Sequence, residues 1–165
     1  MRKNPLRELT FAAMLGGAYA ALTMLLPIPQ YAGVQFRLAE ALTVLPWLIP
    51  EAVPGLAVGC FLANLLGSPF MLDWIFGTLA TLLAALWSRR MPNRYWAALP
   101  PVLCNAVIVG AEIAWFAVMD GGAFWAAYGF NALTVGLGEV LACYALGIPL
   151  INWLSKTPLV KEYHR

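Results

Sequence analysis

Residues 34–46 read Val-Gln-Phe-Arg-Leu-Ala-Glu-Ala-Leu-Thr-Val-Leu-Pro, and they place two opposite charges inside an otherwise apolar chain. Arg37 and Glu40 are three residues apart, so in a helix the two side chains lie on one face and can meet. The run after Arg37 predicts a helix up to Pro46, whereas the residues before it alternate like an extended segment. Burying a charged pair in apolar surroundings costs free energy, so such a pair indicates a functional role. We therefore interpret the rest of the chain as a scaffold for this pair.

The composition is that of a membrane protein. The chain has 165 residues, of which 62% are hydrophobic and 11% charged, and its mean hydropathy is +0.75. A soluble domain carries about 25% charged residues. Three single cysteines in apolar segments, without paired spacing, are typical of small core residues and not of a disulfide or metal site. The composition predicts an all-α integral membrane protein, and we expect no metal and no cofactor.

Apolar runs separated by turn signals predict six transmembrane helices in one transmembrane domain, residues 1–165. The spans are approximately residues 6–26, 38–49, 53–66, 72–87, 95–119 and 123–154. The second is only about 20 Å long, against about 30 Å of hydrocarbon. Residues 27–36 contain Pro27 and Pro29 and cannot be helical; they form either a plain connector or a binding loop. Six spans put nine of the ten basic residues on one side, which predicts cytoplasmic N- and C-termini.

The first span carries small residues four apart, in two rows. They are Ala12, Gly16 and Ala20 in one row and Ala13, Gly17 and Ala21 in the other. Such rows let another helix backbone approach closely. This surface packs either within the chain or against another membrane subunit.

Arg37, Glu40, Glu112 and Glu139 are charged side chains within or directly beside the predicted spans, and Asp73 lies near the edge of another. Each charge near the bilayer centre costs roughly 2.5–3.5 kcal/mol. They must therefore face inward and pair, take up protons or contact a ligand. The alternatives are that Asp73 caps its helix and that protonated glutamates bond to Asn105 or Asn131.

Several functions are excluded or disfavoured by what the sequence lacks. It has no G-x-x-x-x-G-K-[ST] run, so the chain has no P-loop for ATP hydrolysis. The only histidine, His164, is two residues from the end, which argues against histidine-based catalysis in the membrane. The net charge of +2 comes from the ends and one loop, so it indicates orientation and not nucleic-acid binding. We expect a binding protein with no catalytic residues, not an enzyme.

The chain resembles the QueT family, the substrate-binding S-components that energy-coupling-factor (ECF) transporters use for queuosine precursors. The matching stretches are residues 34–46, then 54–65 (PGLAVGCFLANL), 73–82 (DWIFGTLATL), 99–106 (LPPVLCNA) with 110–112 (GAE), and 136–139 (GLGE). They follow in order over nearly the whole chain. The resemblance implies the six-helix S-component architecture, with a pocket toward the outer face and residues 27–36 as its lid.

The resemblance also implies partners and a location. The small-residue surface of the first helix would dock on the transmembrane ECF subunit, which works with two ECF ATPases in the bacterial cell membrane. The ligand would be a 7-deazaguanine such as aminomethyl-7-deazaguanine or queuine. Its adjacent N–H and amino groups suit a carboxylate, its carbonyl suits an asparagine or arginine, and its ring can stack on an aromatic side chain.

The resulting candidate binding residues lie in the loop and in every predicted span except the first. They are Tyr31, Gln35, Phe36, Arg37, Glu40, Asn64, Asp73, Trp74, Asn105, Glu112, Asn131 and Glu139. Three other interpretations remain open at this point: an S-component for another vitamin or purine, a stand-alone carrier in which Glu112 and Glu139 relay protons, and a structural subunit whose charges only hold helices together.

Overall fold

A computed structural model of the protein describes residues 5–25, 36–119, 121–157 and 160. These ranges contain six helices and no strand, which confirms the all-α class. The helices are α1 (Pro5–Leu25), α2 (Leu38–Trp47), α3 (Ala52–Gly67), α4 (Met71–Ser88), α5 (Arg94–Met119) and α6 (Phe124–Leu154). Four of them, α1, α4, α5 and α6, are long and apolar enough to cross a membrane, whereas α2 and α3 are shorter. The protein is therefore a multi-pass membrane protein, while six crossings with cytoplasmic termini stay a prediction.

The short helix α2 forms the centre of the bundle. It contacts all five other helices, and most of its side chains are buried, including Val44, Leu45 and Pro46. We expected an α-helix here, but α2 is a 3₁₀-helix of ten residues. A 3₁₀-helix rises about 2.0 Å per residue, so α2 is again about 20 Å long. Side chains three apart align along a 3₁₀-helix, which places Thr43 in line with Glu40.

Around α2 the other helices pack in the order α1, α3, α4, α5, α6. The closest crossing is between α1 and α3. A Cβ atom added to Gly16 would lie 2.8 Å from the carbonyl oxygen of Gly55, and one added to Gly59 would lie 2.6 Å from the carbonyl oxygen of Gly16. Glycine is therefore needed on both helices for their backbones to touch.

The two longest helices are each irregular at one place. In α5 the residues Arg94–Ala97 form a first short turn, capped by the Asn93 side chain, and Leu99–Met119 follows after a break at Ala98. The break precedes Pro100 and Pro101, which have no N–H to continue the helix. In α6 the residues Leu141–Gly147 form a π-helical turn that begins two residues after Glu139. Such turns are frequent at functional sites.

The π-helical turn packs against α2. A Cβ atom on Gly147 would lie 2.9 Å from Cγ2 of Val44 and 3.0 Å from the carbonyl oxygen of Ala41. The glycine thus lets α6 approach the backbone of α2. This contact brings Glu40 of α2 and Glu139 of α6 into one layer of the bundle.

Candidate functional site

A small polar cavity lies between α2, α5 and α6. Its lining consists of Arg37, Glu40, Asn105, Val109, Val135 and Glu139, and its volume is about 10 Å³, about enough for one water molecule. Four of the predicted binding residues therefore meet at one place. In this conformation the cavity is closed, so a ligand of the size of a purine needs it to widen.

Glu40 is the most deeply buried acid of the cavity, with 1% of its surface exposed. One carboxylate oxygen, Oε1, accepts a hydrogen bond from the hydroxyl of Tyr19 on α1. The other oxygen, Oε2, is buried and has no hydrogen-bond partner among the described residues. A buried acceptor without a partner costs about 1–3 kcal/mol. Glu40 is thus held from one side and offers an acceptor on the other.

Glu139 is held in a similar way from α5 and from its own helix. The Nδ2 amide of Asn105 donates to Oε1 of Glu139 at 2.8 Å, and the thiol of Cys143 lies 3.7 Å from Oε2. The Cys143 thiol is also 3.5 Å from the carbonyl oxygen of Glu40. A network of short contacts therefore joins the two acidic residues.

The guanidinium of Arg37 is the charge that balances these acids. Arg37 is 7% exposed and precedes α2 in an extended conformation, with φ −109° and ψ 109°. Its charge acts on Glu40, Glu139 and also Glu112. One buried cation among several carboxyl groups leaves the described site with an excess of hydrogen-bond acceptors.

A second acidic pair, Asp73 and Glu112, lies at the edge of this region. The hydroxyl of Ser68 donates to Oδ2 of Asp73, and the Nδ2 amide of Asn64 donates to the Asp73 carbonyl at 2.9 Å. The N-cap residue of α4 is Phe70, and it makes no side-chain capping bond; Asp73 instead holds the α3–α4 turn. Asp73 and Glu112 are near enough to interact electrostatically.

The remaining predicted residues are placed differently. Asn131 donates to the carbonyl of Ala127 in its own helix at 2.8 Å, and Trp74 Nε1 lies 3.5 Å from the carbonyl of Ser68; neither lines the cavity. Phe36 is half-buried beside Arg37 in the chain. Tyr31, Gln35 and most of the expected lid, residues 27–35, lie outside the described residues.

The two rows of small residues on α1 have different environments. Ala12 and Gly16 meet α3 at the close crossing, so this row packs within the chain. Ala13, Gly17 and Ala21 are exposed, and a Cβ on Gly17 would have nothing within 4 Å. The second row is the more exposed of the two, and both rows border an open groove between α1 and α3.

Sequence reasoning missed three residues of the site: Tyr19, Thr43 and Cys143. Tyr19 is fully buried, three residues after Gly16 and hence on the face of α1 that packs inward. Thr43 donates to the Glu40 carbonyl at 2.6 Å. Thr43 follows Glu40 by three residues and Cys143 follows Glu139 by four, so helical spacing from each acid was the signal that could have found them.

A family model described as QueT transporter matches residues 9–156 of the chain. No curated protein and no solved structure matches it. The match covers all the acidic residues of both clusters and confirms the resemblance seen in the sequence.

Proposed function

The chain belongs to the QueT transporter family, and we propose that it is the substrate-binding S-component of an ECF transporter in a bacterial cell membrane. Its substrate would be a queuosine precursor, a 7-deazaguanine such as aminomethyl-7-deazaguanine or queuine. Small-molecule transport across a membrane agrees with the family and with the four long apolar helices. Because QueT is a transporter family, we expect no enzymatic activity.

The observation that carries the proposal is the buried, unpartnered Oε2 of Glu40 beside the cavity. The N–H and amino group of a guanine-type edge are adjacent donors, and a carboxylate accepts such a pair well. Glu139 and the amide of Asn105 lie beside the same cavity. Arg37 supplies a donor for the ring carbonyl. The donor and acceptor set therefore complements the polar edge of a 7-deazaguanine.

Binding requires a change of shape, because the closed cavity holds about 10 Å³. Residues 27–36, the proposed lid, lead directly into Arg37. A movement of this segment would displace Arg37 and the start of α2 together. The 3₁₀ geometry of α2 agrees with such a movement, because 3₁₀ runs longer than three or four residues have poorer hydrogen-bond geometry and are uncommon.

Energy for uptake would come from partners. The chain has no P-loop motif, so ATP would be hydrolysed by two ECF ATPases bound to the transmembrane ECF subunit. We propose that the exposed row of Ala13, Gly17 and Ala21 docks on that subunit. Small side chains on a lipid-facing helix surface permit close helix–helix contact.

The partner proposal is tested by uptake of labelled aminomethyl-7-deazaguanine into proteoliposomes. We expect uptake only when the protein is reconstituted with the ECF transmembrane subunit, both ATPases and internal ATP. Equal uptake by the protein alone, without ATP, would establish a stand-alone carrier instead. A Gly17→Leu variant is expected to keep binding the ligand but to lose ATP-driven uptake.

A further inference from the structure

Glu112 occupies an unusual position beside a large apolar groove. The groove has a volume of about 570 Å³, and apart from Glu112 its lining is apolar or aromatic: Leu72, Phe76, Val107, Ile108, Ala111, Trp115 and Phe124. Only 6% of the Glu112 surface is exposed. Among the described residues no N–H or hydroxyl group donates to either carboxylate oxygen, and the side chain of Asp73 lies within hydrogen-bonding reach of Glu112. A buried carboxylate needs a cationic group or several N–H donors to offset the loss of its hydration.

The groups around Glu112 favour a positive ligand. The Asp73 carboxyl group lies beside Glu112 and adds to its demand for a positive partner, whereas the charge of Arg37 satisfies part of that demand. One Asp73 oxygen is occupied by the Ser68 hydroxyl. Two neighbouring carboxylates repel each other unless one of them takes up a proton or a cation lies between them.

The distance along α5 between the polar cavity and Glu112 indicates how long a ligand must be to reach both. Asn105, Val109 and Glu112 follow one another at helical spacing along one face of α5. The first two line the polar cavity and the third lines the groove. Seven residues of α-helix span about 10 Å, comparable to the long axis of a bicyclic base that carries a one-carbon amine arm.

We propose that the Asp73–Glu112 pair binds the ammonium group of an aminomethyl-substituted substrate whose ring edge is held by Glu40 and Glu139. This assignment rests on the proposed function and adds a selectivity determinant to it. Val109 packs with Val135 and Ala80 between the two acidic layers, so these side chains must part when the amine arm passes. The pair thereby selects charged precursors over neutral ones of the same ring.

The test compares two ligands on matched variants of the purified protein by isothermal titration calorimetry. The ligands are aminomethyl-7-deazaguanine and 7-methyl-7-deazaguanine, which lacks the amine. For Glu112→Gln we expect affinity for the aminomethyl ligand to fall at least about tenfold, because a buried charge pair is lost. Affinity for the methyl ligand should change by less than about threefold. Glu8→Gln, in the first turn of α1, is the control and should change neither.

An equal loss for both ligands in Glu112→Gln, or no loss for either, would overturn the assignment. If Glu112→Gln does not fold, Asp73→Asn tests the same pair and should lower the preference for the amine in the same direction. If the wild-type protein binds neither ligand, the proposed function itself fails, and the ammonium site fails with it. Binding of the methyl ligand alone would refute the ammonium site and leave the ring-edge proposal standing.

Discussion

Glu40→Gln is the substitution that probes the ring-edge site most directly. The glutamine keeps the size of the side chain and retains one carbonyl oxygen to accept the Tyr19 hydroxyl, which now bonds to Oε1. The Oε2 position, which has no partner among the described residues, becomes an amide N–H₂. A ligand N–H that would have met an acceptor then meets a donor.

The expected loss follows from this exchange. A hydrogen bond to a charged group contributes about 1.5–3 kcal/mol, and every 1.4 kcal/mol is a factor of about ten. The affinity for a 7-deazaguanine should therefore fall about 10- to 100-fold. The free energy of unfolding without ligand should stay equal or rise, because a buried charge is removed from the membrane region.

The assay is titration calorimetry in detergent with thermal unfolding measured in parallel, and Glu8→Gln, half-buried in α1 and outside the cavity lining, serves as the control. Weaker binding together with unchanged or higher stability supports a ligand-facing role for Glu40. Unchanged affinity would show that Glu40 only holds Tyr19 and α2 in place, and the ring-edge assignment would be wrong.

Five further substitutions test the same structure. Glu139→Gln should weaken binding of every deazaguanine at least about tenfold; equal affinity would remove Glu139 from the site. Gly16→Leu should lower the free energy of unfolding by about 1–3 kcal/mol or more through overpacking against α3. Gly17→Leu should unfold like the wild type, because a Cβ atom added there has nothing within 4 Å. Equal melting temperatures for the two variants would contradict the close α1–α3 crossing. Gly147→Ala should lower the melting temperature, because its Cβ would lie 2.9 Å from Val44, and an unchanged melting temperature would show that α2 and α6 can separate. Tyr19→Phe should destabilise the protein by about 1–3 kcal/mol, since it leaves a Glu40 oxygen unpaired, and a neutral effect would show that this oxygen finds another donor.

The helical content could be predicted because the chain is apolar and its turns carry strong signals. The helices begin and end at Pro, Gly and Asn positions such as Pro69, Asn93 and Gly122, which break or cap helices for local reasons. The 3₁₀ geometry of α2 could not be predicted, because a spacing of three residues between Arg37 and Glu40 fits both helix types. The π-helical turn after Glu139 depends on packing against α2, which no local pattern reveals.

The charged residues of the site could be predicted for energetic reasons, because a charge in a membrane span must pair with another group or contact a ligand. Their division into two clusters could not. Glu40 and Glu139 come from segments about a hundred residues apart, and only the close approach at Gly147 brings them together. Asn131 is polar and lies in an apolar span, as a site residue would, but it donates to the Ala127 carbonyl of its own helix, as asparagine side chains often do. The spacing of the small residues on α1 likewise predicted a helix-packing surface, but it could not show which of the two rows faces α3.

Ligand-induced thermal stabilisation of the purified wild-type protein tests the substrate assignment most directly. Aminomethyl-7-deazaguanine, queuine, guanine and riboflavin would be compared in parallel, each at high concentration. A ligand at 100 times its dissociation constant adds about 2.7 kcal/mol to the free energy of unfolding, which is readily measured as a higher melting temperature. We expect the largest rise in melting temperature with a 7-deazaguanine, a smaller one with guanine, which shares the polar ring edge, and none with riboflavin. No stabilisation by either deazaguanine, or stabilisation by riboflavin alone, would contradict a queuosine-precursor site.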